Sequence, residues 1–186
     1  MDPVVAGWYG KLPSLGDFAG RRLPSMFVEP WDRWLAGGMS AWRESDEDWL
    51  QSFLSAPASR FALGPGVPFD LSPGYAGVLV PSVDRVGRYF PLTIARPRGE
   101  GESLIPTAWL ETVEGLAVSA LNDDWDADRL DAELSAIAPT VGDGTRWPRA
   151  GCSLWWGPCI GEPAEVSVVT GLPRGAAFVR LLSGRV

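Results

Sequence analysis

Apolar residues change period several times along this chain, and the changes divide it into elements. Residues 4–10, VVAGWYG, are apolar, β-branched and aromatic, which predicts a first strand running into a loop. The loop, KLPSLGDFAGRRLP at 11–24, is punctuated by Pro13, Gly16, Gly20 and Pro24. From Met26 the period lengthens, and Phe27, Trp31, Trp34, Leu35 and Trp42 fall on one helical face. Pro30 suits a first turn and puts the regular start of this helix near it. Gly37 and Gly38 weaken its later turns. Ser45, followed by Asp46, Glu47 and Asp48, reads as the capping box of a second helix. Its stripe is Trp49, Leu50, Phe53 and Leu54, and Pro57 stops it.

Beyond Pro57 the alternation is that of strands. SRFAL at 59–63 is a short one, and 64–74 is a loop of turn residues. YAGVLVP at 75–81 and YFPLTIA at 89–95 are joined only by residues 82–88, too few for a crossover helix, so they should form an antiparallel hairpin. Pro91 lacks an N–H, which makes the second strand an edge there or delays its start. Pro106 opens a helix with Trp109, Val113, Leu116, Ala117, Ala120 and Leu121 on its stripe. A further helix runs from about Asp126, through Leu130, Leu134 and Ile137, to the residue before Pro139. Residues 140–151 read as loop, SLWW at 153–156 and EVSVVT at 165–170 as strands, and 175–182 as a short helix. Helical pairs alternating with groups of strands predict an α/β fold, a single domain over 1–186 with a mixed sheet covered by helices as an αβα sandwich.

Composition narrows the chemistry. The chain has 186 residues, 46 % of them hydrophobic, enough for one domain with a sizeable core. It contains no histidine, which excludes a Ser–His–Asp triad, a Cys–His pair, an HExxH zinc site and an imidazole acid or base. Lys11 is the only lysine among 16 cationic residues; the rest are arginine. A net charge of −7 argues against nucleic acid and anionic membranes as main partners. Cys152 and Cys159 have neither CxxC nor zinc-site spacing and read as free thiols. MDPVVAGWYG has no signal-peptide pattern, and no apolar run nears the roughly 20 residues that span a bilayer. The expectation is a soluble, cytoplasmic protein.

Two polar loops stand out in this acidic background. One carries Lys11, Ser14, Asp17, Arg21 and Arg22; the other carries Ser82, Asp84, Arg85 and Arg88. Guanidinium groups bind carboxylate or phosphate with a planar fork, so one reading is a surface that recognises anions or a protein partner. The other is local bracing, with Asp17–Arg21 and Asp84–Arg88 as ion pairs or loop-capping bonds. There is no Walker A loop, since Leu12 follows Gly10-Lys11, and no GxGxxG or GxSxG. Asp46-Glu47-Asp48 and the acids at 123–128 read as helix caps rather than cation sites. The tryptophans at helical spacing read as core, and Trp155-Trp156 must point to opposite faces of a strand.

The sequences GWYGKLPSLGDFAGRRLP, WDRWL and GVLVPSVDRVGRYFPLT resemble the type VI secretion-associated TagF family, also called ImpM. The likeness extends to SLWW at 153–156 and GLP at 171–173. Matching positions are Gly10, Lys11, Pro13, Gly16, Asp17, Phe18, Arg21 and Pro24, then Pro81, Ser82, Asp84, Gly87, Arg88 and Pro91. The resemblance implies a compact αβα sandwich. It also implies a cytoplasmic accessory protein of the bacterial type VI secretion system, a post-translational repressor of its assembly or firing. Such a protein is expected to bind other secretion components, among them the forkhead-associated scaffold protein of the threonine kinase/phosphatase pathway, and to need no enzymatic activity or cofactor. The site expected from both loops is one patch of Lys11, Ser14, Asp17, Arg21, Ser82, Asp84 and Arg88 at one end of the sheet. The alternative is a small-ligand or anion-binding protein, or a histidine-free enzyme, using the same residues.

Overall fold

Strand pairing decides where the two polar loops emerge. The computed structural model describes residues 4–68, 72–138, 140, 142–156 and 166–183. In chain order its elements are β1 (Gly7–Gly10), β2 (Ala19–Arg21), α1 (Ser25–Ser45), α2 (Trp49–Leu54), β3 (Ser59–Leu63), β4 (Tyr75–Val80), β5 (Leu92–Pro97), β6 (Leu104–Pro106), α3 (Thr107–Asn122), α4 (Ala127–Ser135), β7 (Gly144–Arg146), β8 (Cys152–Trp156), β9 (Val166–Thr170) and α5 (Ala176–Ser183). Seven strands form one sheet in the order β2-β1-β5-β4-β3-β8-β9, and β6 with β7 makes a separate ribbon. Every pairing among them is antiparallel. The layers are the expected αβα sandwich, and the sheet between them contains no parallel pair among the described residues.

Strand alternation builds a core on each face. Ala76, Val78 and Val80 of β4 point to one side, with Trp8, Ile94, Leu154 and Trp156, and meet Trp109, Val113 and Ala117 of α3 and Leu130 and Leu134 of α4. Tyr75, Leu79, Phe61 and Trp155 point to the other, against Phe27, Trp31, Leu35 and Trp42 of α1, Phe53 of α2 and Phe178 of α5. Trp155 and Trp156 are thus both buried, on opposite faces. Most of the tryptophans are core: only Trp34, Trp49 and Trp147 are partly exposed. The Trp31 indole N–H donates to Thr93 Oγ1 at 2.9 Å, so its polar edge is satisfied inside the core.

Several local expectations shift. The helix expected near Pro30 begins at Ser25 and holds Pro30 inside it. Proline there forgoes one backbone bond, to Met26, in an exposed first turn where water can replace it. Ser45 is the last residue of α1 rather than a cap; its Oγ donates to the Trp42 carbonyl. Asp46 does the local work instead, accepting from the Asp48 N–H at 2.9 Å and from the Trp42 indole at 3.2 Å. Asp126 caps α4 as expected, accepting from the Arg129 N–H. β5 starts after Pro91. β2 and β7 are three-residue strands inside stretches read as loop. Cys152 is buried and unpaired, and Cys159 lies outside the described residues.

α5 crosses α1 at Gly38, where any Cβ would collide with the Phe178 ring. Gly38→Ala should therefore destabilise the fold by about 1–3 kcal/mol through overpacking, despite the better helix propensity of alanine. Urea unfolding followed by tryptophan fluorescence measures it.

Candidate functional site

β1 and β4 are both antiparallel to β5, so they run the same way and their outgoing loops leave the same end of the sheet. The first loop spans 11–18; the second spans 81–91. The second closes tightly. The Asp84 N–H bonds the Arg88 carbonyl at 3.0 Å, and Gly87 donates back to the Asp84 carbonyl at 3.0 Å. Gly87 has φ +84°, which favours glycine at this turn. One carboxylate oxygen of Asp84 accepts from the N–H groups of Val86 and Arg88, at 3.0 and 2.9 Å. This is the aspartate-stabilised turn that short polar side chains favour.

The other carboxylate oxygen holds two cations. Lys11 Nζ lies 2.6 Å from Asp84 Oδ2, and Arg88 Nε lies 2.7 Å from it. Lys11 and Asp84 are each 3 % exposed, so this charge pair is interior. The Lys11 ammonium also sits 4.2 Å from the centre of the Phe18 ring, a cation–π contact. Phe18 in turn stacks on Tyr9 and meets Phe90 edge-on. Ser82 Oγ donates to the Lys11 carbonyl at 2.7 Å, and the Arg85 N–H donates to the Leu15 carbonyl at 2.8 Å. Arg88 reaches the Gly16 carbonyl and comes within 3.6 Å of Asp17 Oδ1. The two loops are thus stitched along their length.

Five of the seven expected residues come together: Lys11, Asp17, Ser82, Asp84 and Arg88. Two do not. Ser14 turns to the α3–α4 connection and donates to the Trp125 carbonyl at 2.7 Å. Arg21, on β2, reaches toward Asp128 at 3.8 Å, with both side chains largely exposed. Arg22, from the same loop, donates to the Ala6 carbonyl and pairs with Asp131. The pairings Asp17–Arg21 and Asp84–Arg88 fare differently: the second forms and the first does not.

Phe18 was legible only as a motif position, and its role in covering Lys11 depends on the hairpin that β1 makes with β2. Solvent meets the rim of the cluster rather than its centre. Asp17, Phe18, Arg85, Val86 and Arg88 are exposed, Val86 at 64 %. Among the described residues no acidic or cysteine cluster converges to hold a metal ion, and no helix is long and apolar enough to cross a membrane.

Burial alone would push the Asp84 carboxyl up. The hydrogen bonds from Lys11, from Arg88 backbone and side chain, and from Val86 outweigh it and hold the group well below the usual carboxylate range. In acid the folded chain therefore binds fewer protons here than the unfolded chain. The stability conferred is complete above the ordinary aspartate value of about 3.9 and is lost as pH falls below it. Asp84→Asn should flatten the acid limb of a stability–pH profile while lowering stability at neutral pH, as melting curves across pH would record. Lys11→Ala leaves a buried carboxylate short of a partner and should cost about 3 kcal/mol, read as a lower urea midpoint.

Comparison with known proteins places the chain. A family model described as the TagF N-terminal domain, type VI secretion system-associated, matches residues 7–137. No curated protein matches significantly. The crystal structure of PA0076 from Pseudomonas aeruginosa PAO1 is similar with a TM-score of 0.81 and 34 % identity, over 97 % of this chain and 94 % of that one. The match begins at β1 and includes both stitched loops, and the shared fold extends over nearly the whole chain: it belongs to the TagF family of type VI secretion system-associated proteins.

Proposed function

We propose that this chain is a cytoplasmic accessory protein of the type VI secretion system that represses assembly or firing by binding another component. The observation that carries the reading is the braced hairpin tip. Val86 is exposed in the same turn as the exposed Arg85 and Arg88, and Phe18 of the stitched partner loop is exposed as well. Arginine and aromatic side chains are favoured at protein–protein hot spots. The tip is also preorganised. The Asp84 hydrogen bonds fix its backbone, and the Lys11 pair fixes Asp84. Binding then orders little that was free, which is how a small epitope gains affinity.

Lys11, the one side chain here able to act as an amine nucleophile, is engaged by Asp84 and covered by Phe18. That supports recognition over covalent chemistry for this cluster. The partner is a secretion-system protein, and the forkhead-associated scaffold is the first to test. Cells lacking the chain should secrete more type VI substrate, and wild-type chain should restore repression. The double variant Arg85→Glu with Val86→Asp should fail to restore it and should lose the captured partner, while melting within about 0.5 kcal/mol of wild type because both side chains are exposed. Full repression by that variant would remove the tip from the mechanism. Unchanged secretion on deletion would remove repression itself.

A further inference from the structure

α1 contains two adjacent glycines, each unfavourable in a helix interior by roughly 1 kcal/mol relative to alanine. Gly38 is explained by the fold, because the Phe178 ring occupies the space where its side chain would stand. Gly37 is not. A Cβ there meets nothing within 4 Å. Gly37 instead lies on a groove of about 300 Å³ between α1 and the turn that leads into α5. The half-buried Trp34 and Leu172 are its apolar surface, and the Trp34 ring is backed edge to face by the buried Phe178 ring at 5.3 Å. The Trp34 indole N–H donates to the Pro173 carbonyl at 2.8 Å, which pins the turn to the helix and fixes the width of the groove.

The charges of the two walls point to an occupant. Arg33 stands on the α1 wall and Arg174 on the turn. Both are exposed, and neither guanidinium makes an ion pair among the described residues. Arg21, Arg22, Arg60, Arg88 and Arg96 face carboxylates, but other described arginines such as Arg85 and Arg146 make no ion pair either, so it is the shared groove that sets Arg33 and Arg174 apart. On a chain of net charge −7, a groove lined by two exposed arginines and no carboxylate is a local reversal of sign.

The geometry points to a second docking site, in which this groove takes an acidic peptide segment of a partner protein. One bulky apolar side chain of the segment rests on Trp34 and Leu172, its backbone passes over Gly37, and carboxylates on either side meet Arg33 and Arg174. Guanidinium–carboxylate pairs at such a rim set orientation and specificity, and the apolar surface supplies the burial. The bare backbone at Gly37 is then the space the segment fills. This site is separate from the hairpin tip, and its test does not depend on secretion.

The test is selection of random peptides displayed on phage against the full chain, followed by fluorescence anisotropy with the enriched peptides. The expected result is enrichment of sequences with an apolar anchor flanked by Asp or Glu. Arg33→Glu with Arg174→Glu should weaken them at least tenfold, and more so at low salt. Gly37→Leu, an exposed position with better helix propensity, should abolish binding while its melting temperature stays at or above wild type. That combination separates an occupied groove from a damaged fold. Three results would overturn the proposal: no enrichment, enrichment without acidic residues, or unchanged affinity in the Gly37→Leu chain. So would gel filtration showing a dimer that Gly37→Leu dissolves, since the groove would then belong to a second copy.

Discussion

The organisation of one end of this molecule depends on a single buried carboxylate. Asp84 is a charged group with almost no access to water, and such a group is tolerated only with its lone pairs occupied. Here backbone N–H groups of its own turn take one oxygen, and an ammonium and a guanidinium take the other. The first set shapes the hairpin tip. The second joins that tip to the loop after β1, seventy-odd residues earlier in the chain. The sheet brings their roots together, and Asp84 fixes what lies beyond the roots.

The sheet itself is held from both sides, and aromatic residues do much of that. On the α1 face Trp31 and Trp155 lie within ring-contact distance of each other, and each also contacts Trp34 and Phe61. On the opposite face Trp8, Trp109, Trp125 and Trp156 are also buried, but the α3 stripe over β4 is small, with Ala117, Ala120 and Val113 in the same cluster as Ala76 and Val78. This asymmetry lets α3 lie close to β4, while α1 stands off behind bulky rings. α1 must then receive α5 through a glycine, because the Phe178 ring needs the room.

Long periodic segments were legible in the sequence, since a buried stripe imposes its period whatever surrounds it. α1, α3, α4 and the hairpin of β4 and β5 follow from it. Short strands were not. β2 and β7 have three residues each, and their existence depends on a neighbour's backbone rather than on their own pattern. The start of α1 was misplaced because proline preference describes first turns in general, whereas an exposed N-terminus tolerates Pro30 a turn later. In the candidate site, Lys11, Ser82, Asp84 and Arg88 were grouped in advance only as an expectation that the two polar loops lie side by side; β5, paired antiparallel with both β1 and β4, is what brings them together. Side-chain direction was not legible. Ser14 and Arg21 turn toward α4 and the α3–α4 connection, partners that lie more than a hundred residues away. Phe18 covers Lys11 only because β2 folds back along β1.

The Lys11–Asp84 pair also has a consequence for how the protein meets reagents and modifying enzymes. Lys11 is the only lysine in the sequence, and it is sealed between a carboxylate and a phenyl ring. No lysine ε-amine is therefore on offer to acylating agents, acetyltransferases or ubiquitin ligases while the fold is intact. Distance maps of any assembly containing this chain call for crosslinkers directed at carboxylates or guanidinium groups. Reaction at Lys11 would report the opening of the two loops rather than the position of a neighbour.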